Sequence, residues 1–140
     1  SRSGIGEWAK NGLLAMIFVG LATGNLWIYP DKVSQDWDCT LAHLPYYELR
    51  EEVLVYLDEK NIALPQVGTA FPDIGPLKYK DLTGRLIGFK EKSLQNDEYI
   101  LYSNIMNDFT DEEIDGLQRE WKVLKVWKNR GIRFVLYKRL

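Results

Sequence analysis

One cysteine, Cys39, and one histidine, His43, are all the chain offers of the side chains that most often hold soft metals. A lone cysteine can form no internal disulfide, so its ordinary place is as a buried thiol, and one His beside scattered carboxylates shows no ligand spacing. Also missing are the Gly-rich signatures of nucleotide binding. Gly68 and Thr69, and the series Gly12, Gly20 and Gly24, form neither G-x-G-x-x-G nor a Walker loop, and no Gly-x-Ser-x-Gly elbow is present. No metal and no cofactor is expected. The opening SRSGIGEWAK lacks signal-peptide architecture, and no repeat, low-complexity tract or Pro/Gly/Ser linker divides the chain. It reads as a single domain over residues 1–140, an excised piece of something longer, with enough length to bury a real core without staples.

Charge of either sign is absent from Asn11 to Lys32 except at Asp31 and Lys32, and the twenty residues from Asn11 to Pro30 carry none. That length is about what a helix needs to span a bilayer. Three glycines, Thr23, Asn25 and Pro30 weaken the spanning reading, whereas Leu13 to Val19 suits a strand buried on both faces. The strand is the expectation and the stump of a membrane helix its rival. The net charge of −2 gives no global pull toward nucleic acid. Arg119, Lys122, Lys125, Lys128, Arg130, Arg133, Lys138 and Arg139 nevertheless crowd the C-terminal end, where they form either a solvated face or one turned to phosphate or anionic lipid.

Downstream, Trp27, Tyr29, Trp37, Tyr46 and Tyr47 fall close to Asp36, Asp38 and His43, in a stretch that Pro30 and Asp31 keep irregular. A long aromatic and acidic connection after a strand is where α/β folds place binding surfaces. Pro45 then opens a helix running to about Lys60, with Leu49, Val53, Tyr56 and Leu57 on one stripe and Asn61 as a left-handed stop. Gln66 to Phe71 reads as a short strand. Residues 73–92 read as loop, with Leu86 to Phe89 as one possible edge strand. Glu98 to Ile105 is a strand by its β-branched and aromatic content. Thr110 and Glu113 form a capping box, and Ile114, Leu117, Trp121, Leu124 and Trp127 make a helical stripe that Gly131 ends before a closing strand from Ile132 to Tyr137. This alternation predicts an α/β fold, a small three-layer sandwich with a mainly parallel sheet of four to five strands and at least two helices, the last two strands being parallel neighbours.

Four phrases together resemble the soluble C-terminal domain of a bacterial membrane glycosyltransferase of the GT-C type, the class of polyprenyl-phosphate-dependent mannosyl and aminoarabinose transferases. They are GNLWIYPDKVSQDWDCTLAHLPYYELR, EEVLVYLDEKNIALPQVGTAFP, DEYILYSNI and WKVLKVWKNRGIRFVLYKR, which cover most of the chain from Gly24 onward. The resemblance implies an extracytoplasmic, periplasmic domain tethered to the membrane part of its own chain. It carries no catalytic residue, because that family's carboxylates lie in the membrane part. It also implies possible contact with sugar or a polyprenyl-phosphate-linked substrate, and no nucleic-acid partner.

The residues themselves leave three readings open. Trp27, Tyr29, Trp37, Tyr46 and Tyr47 can stack on sugar faces while Asp36 and Asp38 accept from hydroxyls, which suits the glycosyltransferase domain and equally a stand-alone carbohydrate-binding or protein-interaction module. The same aromatics can simply fill the gap beside the helix. Asp38 and His43 as an acid/base pair would make a small α/β enzyme, and that requires hydrogen-bond geometry.

Overall fold

The computed structural model describes residues 3–24, 43–81, 84–106 and 108–140. In chain order they form helix α1 (Ser3–Gly24), helix α2 (His43–Glu59), strands β1 (Val67–Thr69), β2 (Gly75–Pro76), β3 (Gly88–Glu91) and β4 (Tyr99–Ser103), helix α3 (Asp111–Glu120), and strands β5 (Trp121–Asn129) and β6 (Ile132–Arg139).

The six strands make one mixed sheet in the order β2-β3-β1-β4-β6-β5. β1 lies parallel to β3 and to β4, while β2 against β3, β4 against β6 and β5 against β6 are antiparallel. The expected mainly parallel sheet of four to five strands is therefore corrected to a six-stranded, mostly antiparallel one within an α/β fold. The cause lies at residues 121–131. The expected helix stops at Glu120, and Trp121–Asn129 is a strand that turns through Arg130 and Gly131 into β6. Both turn residues have positive φ, 46° and 85°, the geometry of a two-residue primed hairpin whose second position suits glycine. A hairpin inverts the chain, so β6 enters between β4 and β5 and runs against both. The closing strand is an antiparallel neighbour of β4, not a parallel one.

Local signals explain the helices. In α2 the buried Leu49, Val53, Leu54 and Leu57 face the sheet, each contributing roughly 1.5–3 kcal/mol by leaving water. Asn61 follows in the left-handed region at φ 55°. The Thr110 hydroxyl accepts from the Glu113 N–H at 3.2 Å while the Glu113 carboxylate accepts from the Thr110 N–H at 2.9 Å, closing the box that starts α3. Alternate β4 and β6 side chains divide between two cores. Leu101, Phe134 and Leu136 pack with α2, and Ile100, Tyr102, Val135 and Tyr137 with Ile114 and Leu117 of α3.

Residues 73–92 hold more structure than a loop. Gly88 of β3 sits so close to β2 that a Cβ there would come within 1.8 Å of the Gly75 carbonyl oxygen. The glycines that break every period in the sequence are thus what lets these two strands meet.

The largest correction concerns Leu13 to Val19, expected as a buried strand. The segment lies in α1, and none of the side chains described there is buried. β1, β3 and β4 complete the parallel part of the sheet without it, and its Leu, Ala and Met residues are strong helix formers. Leu13, Leu14, Met16, Ile17, Phe18, Val19 and Leu21 are each at least half exposed. Among the described residues no helix is long and apolar enough to cross a membrane.

Candidate functional site

A pocket of about 280 Å³ opens where the first two turns of α2 meet the chain leaving β1, lined by Tyr46, Tyr47, Arg50, Phe71, Pro72, Tyr79 and Lys80. It lies at the carboxyl end of β1, the usual place for α/β sites. α2 contributes Tyr46, Tyr47 and Arg50 because positions i, i+1 and i+4 share its start, and the segment after β1 contributes the rest.

A cluster of titratable side chains lies behind its wall. Asp73 and Arg50 are 1% and 4% exposed, and the Tyr46 phenol lies beside the Asp73 carboxyl. Burial raises Asp73 above the usual carboxylate range, against the neighbouring Tyr46 hydroxyl and the charges of Arg50 and Lys80, which lower it. Burial, then the neighbouring Asp73, push the Tyr46 phenol above its own range, so it stays protonated. Lys80 is lowered by burial and further by Arg50, with Asp73 opposing; its Nζ donates to the Ile74 carbonyl.

Arg50 is the group least provided for. Its guanidinium lies over the Tyr47 ring at 5.4 Å and reaches Glu51 only at 3.9 Å, and its Nε has no hydrogen-bond partner among the described residues. A buried guanidinium carries five donors and is costly to leave unpaired. The rim is aromatic: Tyr47 is 45%, Phe71 52% and Tyr79 76% exposed.

A testable consequence follows from Asp73. A carboxyl raised in the folded state keeps its proton where the unfolded chain, at the ordinary value of 3.8, has released it. Its contribution to stability is complete below that value and is lost as pH rises toward the folded one. Thermal unfolding from about pH 4 upward should therefore show a fall in wild-type stability that Asp73→Asn lacks. Parallel wild-type and variant curves would contradict the burial of a raised carboxyl.

Of the residues singled out by sequence, Tyr46 and Tyr47 reach this pocket. Tyr46 is buried against Phe134, ring centroids 5.2 Å apart, and Tyr47 stands at the rim. Trp27, Tyr29, Asp36, Trp37 and Asp38 lie outside the described residues, and His43 enters as the first residue of α2. Arg50, Phe71, Asp73, Tyr79 and Lys80 carry no local signature and were not anticipated. An arginine beside α2's apolar stripe, one place from Leu49, is the one signal that points toward them.

No family model, curated protein or solved structure matches this chain. What the site does must be argued from its own chemistry. Among the described residues no group of three or more His, Cys, Asp or Glu side chains gathers as metal ligands.

The basic C-terminal residues are spread over both faces of the β5–β6 hairpin. Lys125 lies over the Tyr56 and Trp127 rings at 4.5 and 5.0 Å, Lys138 over Tyr99 at 5.4 Å and Arg139 over Trp121 at 5.0 Å. Several of these cations thus cap aromatic rings.

Proposed function

We propose that this chain is a non-catalytic extracytoplasmic domain of a membrane glycosyltransferase that takes sugar from a lipid-linked donor, and that it contacts sugar or lipid-linked substrate. The observation that carries the reading is α1, an exposed helix with no polar side chain from Gly12 to Ala22, set before an α/β body. A helix apolar all round belongs inside a protein core or in lipid, and none of its described side chains is in the body's core. The four phrases resembling GT-C C-terminal domains support the same reading. The rimmed pocket on α2 favours a second one, a carbohydrate-binding module that stands alone.

The proposal predicts that the purified chain, supplied with a polyprenyl-phosphate-linked sugar and candidate acceptors, transfers no sugar. A C-terminal alkaline phosphatase fusion to the membrane-embedded parent should be active, which places the domain outside the cytoplasm. Sugar transfer by the isolated chain, or an inactive fusion, would overturn the reading.

A further inference from the structure

We propose that the pocket at the start of α2 binds an oxyanion carried on a sugar ring, a carboxylated or phosphorylated monosaccharide, with Arg50 and Lys80 taking the charge and Tyr47 and Tyr79 the ring. The inference deepens the substrate contact proposed above, yet it stands on the pocket alone and holds equally for a module with no glycosyltransferase attached.

Charge argues for the oxyanion. Two cations, Arg50 and Lys80, line the cavity and no carboxylate among the described residues does; the nearest acids, buried Asp73 and Glu51 at 3.9 Å from Arg50, are not among its lining residues. The Arg50 Nε is nine-tenths buried and lacks a partner among the described residues. An apolar ligand or a neutral sugar adds no counter-charge beside this buried guanidinium, whereas an oxyanion held in the cavity supplies one. The positive end of the α2 dipole adds in the same sense, since Tyr46 and Tyr47 lie in its first turn or just beyond.

Shape argues for the ring. Free phosphate or acetate would leave Tyr47, Phe71 and Tyr79 without a role, and flat aromatic faces at a pocket mouth suit the C–H face of a pyranose. At about 280 Å³ the cavity is at the small end of ligand pockets, right for one ring and its charge and too small for a nucleotide or an oligosaccharide.

The test is calorimetric titration of the whole chain with glucuronate, glucose 1-phosphate, inorganic phosphate and glucose. At least one of the two charged sugars should bind, and whichever binds tighter identifies carboxylate or phosphate as the natural charge. Inorganic phosphate should bind at least about tenfold more weakly, and glucose without measurable heat. Arg50 is buried, so its replacement can fail to fold. Lys80→Gln and Tyr79→Ala alter partly exposed side chains, and each should fold normally and weaken binding about tenfold or more, the loss of one charge-assisted or stacking contact. The proposal is overturned if neither charged sugar binds, if glucose or inorganic phosphate binds as tightly as they do, or if both variants bind like wild type. Sugar transfer by the isolated chain would sink the non-catalytic reading and leave this binding result untouched, so the two failures are distinguishable.

Discussion

Trp127→Ala is expected to cost roughly 3–5 kcal/mol, the range for emptying a large aromatic site in a core. The indole is 3% exposed on β5, edge-on to Tyr56 of α2 at 5.4 Å between ring centroids, and paired across the hairpin with Phe134. Its loss would open a cavity where α2 meets the β5–β6 hairpin, two parts of the fold distant in sequence. Against the ~5–15 kcal/mol that holds a typical domain folded, such a loss leaves a marginal protein. A thermal melt should fall by roughly 10–20 °C at this chain length. Trp127→Phe is the control. The indole N–H has no hydrogen-bond partner among the described residues, so the phenyl ring forfeits volume and no bond, and most of the stability should return. If Trp127→Ala melts within a few degrees of wild type, β5 does not pack on α2 as described.

The second large effect concerns α1. In a flotation assay with phosphatidylcholine–phosphatidylglycerol vesicles the wild-type chain is expected to rise with lipid, and the double variant Leu14→Asp/Phe18→Asp to stay at the bottom. Each aspartate at hydrocarbon depth costs roughly 2.5–3.5 kcal/mol, and each lost apolar side chain about 1.5–3 kcal/mol more. Together these exceed a hundredfold in partitioning. The helix cannot cross alone: its uncharged part, Asn11 to Gly24, is about 21 Å long at 1.5 Å per residue, against a hydrocarbon core of about 30 Å. It would enter one leaflet with Glu7 and Lys10 left at the surface. Because α1 buries no described side chain, the double variant should keep the circular dichroism and melting temperature of the body. Wild-type protein that stays at the bottom of the gradient removes the bilayer from the account of α1.

Where the sequence misled, the physical reason is specific. In residues 121–129 Trp121, Leu124 and Trp127 recur every third place, as do Lys122, Lys125 and Lys128, which looks like one stripe of a helix. The register shift between Val123 and Lys125 inserts one extra residue into a strand, and a period of two interrupted once is easily taken for a period near three. The consequence is a change of side as well as of type. A helix would set Trp121 and Trp127 on one face, whereas the strand sends Trp121 to the α3 core and Trp127 to the α2 core. The continuous apolar run at Leu13 to Val19 was ambiguous for a different reason, since a segment apolar on every side has no period to read.

The site divides in the same way. Tyr46 and Tyr47 were legible because aromatic residues clustered just ahead of a helix start stand out in one dimension. Arg50, Asp73 and Lys80 were not, because a buried charge is recognised by its neighbours, and those lie up to thirty residues away along the chain.

By itself, then, the amino-acid sequence determined the elements whose signals are local: α2 with its apolar stripe and left-handed stop, the Thr110–Glu113 box, and β4. Tertiary structure alone decided the direction of β6, the two sides of β5 and the cationic pocket. Each of these depends on which segments meet across the sheet, and a residue's own neighbours in the chain do not encode that.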